Sequence, residues 1–206
     1  LYFHPLSVSE ELLKTIRSFP NVVDYLDIPL QHVSDSVLFD MNRGYGRKEI
    51  EKLMELISSV GDFTLRTTFI VGFPTETTDD FEELCSFVRD KNIDYAGIFG
   101  YSHEEGSNSF SMRGFPEKEI KRRVEILSSI IEKKIIERNK KNMGRTMEVL
   151  VDGTQEGEYY GRTMESAPDI DPVVWISPGD KNIEVGSLYP CLISDVAGSD
   201  MIGELK

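Results

Sequence analysis

The apolar pattern of this chain changes its period once, near residue 143, and that change sets the fold class. Before it, aliphatic and aromatic runs at 1–3, 25–30, 65–71 and 95–101 alternate with stretches whose apolar residues recur every three or four positions. The stretch 9–19 opens on Ser9, a good N-cap, and 48–60 puts Ile50, Leu53, Met54 and Ile57 on one face. The stretch 77–91 begins with acidic residues where they meet the positive end of a helix dipole. Strands separated by helices need crossover connections, so this half predicts an α/β fold with a parallel sheet or barrel. Pro116 opens a longer helix to about 142, with Ile120, Val124, Leu127, Ile131 and Ile135 at helical spacing. Its 9 basic and 5 acidic residues over 117–142 are the pattern of an amphipathic helix with a solvated face. Beyond Gly144, short runs at 146–152, 158–163, 173–176 and 188–195 are separated by Gly, Pro and Asp, which predicts a small barrel or sandwich. Two domains are expected, 1–142 and 143–206.

Charge narrows the function. The 23 basic residues stand against 36 acidic ones, a net −13. Residues 143–206 alone hold 4 basic and 12 acidic residues, or −8. Phosphate contacts depend on Lys and Arg, so a general nucleic-acid binder is not expected. No apolar run approaches the roughly 20 residues of a membrane span, and no signal peptide is evident, so a cytoplasmic protein is expected. The two cysteines, Cys85 and Cys191, lie far apart and form neither a disulfide framework nor an iron–sulfur ligand set.

In parallel βα architectures, ligands gather at the C-terminal ends of the strands. Four loops qualify, beginning at His4, Pro29, Gly72 and Tyr101. Gln31 and His32 pair an amide with an imidazole just past a strand, to meet a polar ligand or to anchor the loop. Arg66 stands inside an apolar strand and needs a carboxylate, either a ligand's or the protein's own. Gly72 lets a ligand approach the backbone, and Glu76 either receives an amine or hydroxyl or supports the helix that Thr77 caps. Tyr101 is placed to line a substrate mouth. His103, Glu104 and Glu105 lack metal-ligand spacing, Cys85 reads as a packed thiol, and Gly44-Tyr45-Gly46 is too short for a phosphate loop.

Three collinear strings, DIPLQHVSDSVLFDMNRGY, LRTTFIVGFPTETTDDFEEL and FGYSHEEGSNS, resemble the second half of a radical S-adenosylmethionine methylthiotransferase, and residues 144–206 resemble its TRAM domain. The resemblance implies an incomplete (βα) barrel followed by a small all-β, OB-like TRAM barrel. It also implies S-adenosylmethionine, two 4Fe-4S clusters and an electron donor. The implied chemistry is a 5′-deoxyadenosyl radical taking hydrogen from the substrate before a methylthio group is added. On this basis Gln31, His32, Arg66, Gly72 and Glu76 face S-adenosylmethionine.

Two details resemble the branch that modifies an aspartate of ribosomal protein S-twelve on the small ribosomal subunit. One is PLQH. The other is GRTMESAPDIDP, which resembles that branch's GR…APEIDG wording and places Pro172 where Gly is usual. The −8 of residues 143–206 suits a basic protein partner and opposes tRNA, the substrate of the sister branch. The family's CxxxCxxC motif is absent from the 206 residues. We therefore expect a fragment of a longer enzyme, inactive alone. A cluster-less module docking on a basic ribosomal protein is the non-catalytic alternative.

Overall fold

The computed structural model describes residues 2–106, 109–177, 179 and 182–206. Their contacts form two compact units, Leu1–Val22 with Leu26–Ile131, and Val23–Tyr25 with Glu132–Lys206.

The first unit is built on a three-stranded sheet of β1 (Tyr25–Asp27), β2 (Thr64–Val71) and β3 (Tyr95–Gly100), in that order. β2 and β3 run parallel from Arg66↔Tyr95 to Val71↔Gly100. The helices α1 (Glu10–Ser18), α2 (Asp35–Asp40), α3 (Arg47–Val60) and α4 (Thr78–Asp90) make the connections. The face read from the sequence for α3 is the one buried, through Ile50, Leu53, Met54 and Ile57. Leu65, Phe69 and Val71 of β2 are buried, as are Leu84, Cys85, Phe87 and Val88 of α4. Each buried side chain of this size removes enough apolar surface from water to contribute roughly 1.5–3 kcal/mol.

The strand expected at 1–3 reduces to one parallel bridge, Tyr2↔Asp27, and Leu1 lies outside the described residues. The strand expected at 25–30 stops at Asp27. Pro29 has no N–H for the ladder, and the Thr67 hydroxyl fills the gap. It accepts from the Leu30 N–H at 3.1 Å and donates to the Ile28 carbonyl at 2.8 Å.

α5 (Glu117–Lys140) runs on from the first unit into the second. Its buried positions are Arg123, Leu127, Ile131, Ile135 and Asn139, a strict fourfold spacing with a polar residue at each end. Ile120 and Val124 are half-buried.

The second unit contains a closed barrel of β4 (Thr146–Gln155), β5 (Glu158–Arg162), β6 (Val174–Ser177), β7 (Leu188–Ala197) and β8 (Asp200–Leu205). Their order is β4-β5-β6-β8-β7, every pair antiparallel except β6 with β8. This is an OB-like barrel of five strands. Val149, Val151, Val174, Ile176, Cys191, Ile193 and Met201 fill it. Gly161 is required on β5, because a Cβ there would stand 2.2 Å from the Leu150 carbonyl oxygen. Among the described residues no helix is long and apolar enough to cross a membrane.

Candidate functional site

The loops that leave β1 and β2 meet in the first unit and bring most of the predicted site residues together. Past Pro29 the chain rejoins the ladder at Gln31. Its N–H donates to Thr68 O and its carbonyl accepts from Ile70 N–H, both at 2.8 Å. Gln31 does this with φ of 66°, a left-handed conformation that a residue with a Cβ rarely adopts. Such a conformation costs on the order of 1–3 kcal/mol and concentrates at ligand sites. The Gln31 Oε1 is buried with no hydrogen-bond partner among the described residues.

His32 is fully buried. Its Nδ1 accepts the Ser34 N–H at 3.0 Å, so the ring proton belongs on Nε2. That atom stands 3.6 Å from Glu76 Oε1, too far for a hydrogen bond.

Glu76 is equally buried, at 1% exposure. Its Oε2 closely accepts the Gly72 N–H, and its Oε1 lies 3.2 Å from the Arg123 guanidinium. Gly72 holds φ of 77°, and a Cβ there would come 2.8 Å from Ile120 of α5. Only glycine suits both demands. His32, Gly72 and Glu76 therefore converge on one carboxylate, with Gln31 the neighbour in sequence.

A second cluster ties the same loops. Thr77 caps α4 by accepting the Asp80 N–H at 3.2 Å. Asp80 in return accepts the Thr77 N–H at 2.8 Å and hydroxyl at 2.6 Å, a reciprocal capping box. Its other oxygen accepts the Ser34 hydroxyl closely and the Ser36 hydroxyl at 3.1 Å. Partial burial pushes the Asp80 carboxyl up, but these donors outweigh it and hold the group at about 2.

Arg66 and Tyr101 lie apart from this convergence. Arg66 sits near the start of β2, about 20 Å of extended chain from Gly72. It pairs with Asp27 of β1 at 3.1 Å, with both side chains nearly buried. Tyr101 follows β3, its N–H on Val71 O at 2.8 Å. The ring packs edge-on against Phe73 and His103, each at 5.1 Å, and its hydroxyl donates to Ser109 at 2.8 Å. It also lines a groove of about 370 Å³ with Ile120, Lys121 and Val124 of α5.

Sequence reasoning missed Arg123, Asp80 and Ser34. Arg123 had a signal, because it stands four residues before Leu127 on the buried stripe of α5.

The site offers a polar ligand one buried amide oxygen, that of Gln31, while the Gly72 backbone beside it is covered by Ile120. Among the described residues no group of three His, Cys, Asp or Glu is placed to hold a metal ion. Cys85 and Cys191 are both buried and in no disulfide among the described residues, one on α4 and the other on β7.

Comparison with known proteins adds the following. Residues 2–88 match the radical SAM superfamily and residues 143–205 match the TRAM domain. A protein of Caldanaerobacter subterraneus subsp. tengcongensis named ribosomal protein uS12 methylthiotransferase RimO is 40% identical over 205 residues, covering 99% of this chain and 47% of its own length. Proteins of the same name from a Thermoanaerobacter species and from Chlorobaculum tepidum are 41% and 38% identical, over 99% and 100% of this chain and 47% and 48% of their own. The chain thus spans about half the length of the curated relatives it matches. Among solved structures, the radical SAM enzyme coproporphyrinogen III oxidase (HemN) of Escherichia coli superposes with a TM-score of 0.55 at 12% identity, over 79% of this chain and 44% of that one. Elp3 of Methanocaldococcus infernus gives 0.52 at 14%, over 63% and 32%. At such low identity these structures speak for the fold alone.

Proposed function

The chain belongs to the radical S-adenosylmethionine methylthiotransferase family, and from that premise we propose that it contributes the S-adenosylmethionine-facing loops and the TRAM domain of an enzyme that methylthiolates an aspartate of ribosomal protein uS12. The observation that carries this reading is the unbroken likeness to the uS12 methylthiotransferases through both the sheet unit and the barrel. The −8 charge of residues 143–206 supports a basic protein partner over tRNA. The reading puts the enzyme in the cytoplasm with the ribosome.

The residues present suit S-adenosylmethionine. Gln31 Oε1 is a buried acceptor awaiting a donor, and the ligand carries two amines that supply one. On this reading Gln31 touches the cofactor, while His32 and Glu76 lie behind it and hold the loops in place. Tyr101 lies on the substrate side, and Arg66, paired with Asp27, braces β1 against β2. When bound, S-adenosylmethionine supplies the 5′-deoxyadenosyl group that takes hydrogen from the aspartate β-carbon. This chain's own residues bind and orient it.

The two cysteines do not suit an iron–sulfur cluster, which needs three or four thiolates in one place. The two 4Fe-4S clusters and the electron donor of the reading lie outside these residues, and residues 1–206 alone are then inactive.

Deleting the gene in its source cells tests the reading by mass spectrometry of uS12 and of tRNA. We expect uS12 to lose its methylthio group while tRNA keeps its own. Loss from tRNA alone, or from neither, would overturn the reading.

A further inference from the structure

We propose that Arg123, on α5, is a positioning residue for the S-adenosylmethionine pocket: through Glu76 it fixes the turn at Gly72 in the loop after β2. The proposal rests on the functional reading above, but its geometry stands by itself.

Three segments distant in sequence meet at the Glu76 carboxylate. The loop after β1 brings His32 Nε2 to 3.6 Å, and the loop after β2 brings the Gly72 N–H. α5 brings the Arg123 guanidinium to 3.2 Å. Glu76 and Arg123 are 1% and 3% exposed. Each charge would be costly to bury without the other.

Arg123 is itself held in place. Its Nε donates to Glu119 Oε1 at 3.0 Å, and its NH1 donates to the Thr77 carbonyl at 3.4 Å. Its guanidinium lies over the rings of Phe81 and Phe115, at 5.1 and 4.5 Å. A planar cation gripped on both its edge and its face cannot swing as a lysine would. It therefore fixes Glu76 in one position. Glu76 then holds the Gly72 amide, and with it the left-handed turn at the end of β2.

Stability alone is a poor reason for such a pair. A buried ion pair replaced by apolar groups of similar size is often as stable or more so. What the pair supplies is geometry, and misplacing a ligand contact by about 1 Å can cost as much as 100-fold.

The test uses the protein as its gene encodes it, loaded with its clusters, and S-adenosylhomocysteine as a probe that cannot be cleaved. Calorimetry gives the affinity, hydrogen exchange gives the protection of the Gly72 amide, and a thermal melt reports folding. In Arg123→Met, and in the paired Glu76→Gln/Arg123→Met should the single variant not fold, we expect affinity to fall at least about ten-fold. Gly72 exchange should rise by a similar factor, with melting close to wild type for the pair. Arg123→Lys should recover part of the affinity. A folded variant with wild-type affinity and wild-type Gly72 exchange would overturn the proposal. Should the wild type fail to bind the probe, the functional reading falls and Gly72 exchange alone decides whether Arg123 positions the loop.

Discussion

Replacing Asp80 by Asn keeps the shape of the side chain and removes its charge, which makes it a clean probe of how the two loops are tied. Asp80 accepts from the Thr77 amide at 2.8 Å, the Thr77 hydroxyl at 2.6 Å, the Ser36 hydroxyl at 3.1 Å and the Ser34 hydroxyl. The Asn amide nitrogen can only donate, so one side of this cluster must lose its acceptor. Burial raises the carboxyl, but the hydroxyl and amide donors lower it from 3.8 to about 2. Each unit is worth about 1.4 kcal/mol, so the charge contributes about 2 kcal/mol at neutral pH. The folded value lies below the unfolded one. That contribution is therefore full above about pH 4, shrinks as the pH falls, and is gone below about pH 2. Urea unfolding followed by circular dichroism should place Asp80→Asn about 2 kcal/mol below wild type at pH 7, with roughly half that gap left at pH 3. A variant as stable as wild type at pH 7, or a gap unchanged at pH 3, would refute the reasoning.

Phe69, fully buried in β2, should cost about 3–5 kcal/mol when cut to Ala, read as a lower urea midpoint with an unchanged slope. Gly161→Ala drives a methyl into the Leu150 carbonyl and should destabilise the barrel by about 2 kcal/mol or more. Trp175, the chain's one tryptophan, reports this directly, because its indole N–H donates to Asp200 across β6 and β8 at 3.0 Å. Its fluorescence should melt earlier in the variant. Burial pushes the Cys85 thiol up, with nearby charges adding smaller effects. Iodoacetamide at pH 8 should leave Cys85 unmodified in the folded protein and alkylate it in urea.

The helices and most strands were legible because their apolar spacing and caps agree with where they pack. Ser9 and Thr77 cap α1 and α4, and the α3 face is the buried one. The strand at 25–30 misled because four of its six residues, Tyr25, Leu26, Ile28 and Leu30, are aliphatic or aromatic in keeping with a strand, while Pro29 cuts the ladder. α2 was missed because its six residues bury only Val37 and Leu38, too few to show a period. β8 was missed although Gly198-Ser199 marks the turn before it, since Gly203 interrupts its apolar alternation. At the site, Gln31, His32, Gly72 and Glu76 were found by position after strands. That Glu76 meets Arg123 was not legible, because 47 residues separate them and only the packing of α5 brings them together.

β8 lies between β6 and β7, so its six residues are the last stave of the barrel. A ribosome that has delivered the chain only as far as Ala197 has released β4 to β7 and still cannot let the barrel close. The sheet unit has no such dependence, since β1 to β3 are complete by Gly100. Vectorial synthesis then gives the two units different birth times, the sheet first and the barrel in a single late event. Pairing β8 with β6, from Val174↔Met201 to Ser177↔Glu204, also closes a long loop and so slows that event. Pausing translation between residues 197 and 206 would hold a barrel open along both flanking strands, the interval in which this chain is most exposed to mispairing with its neighbours on a polysome.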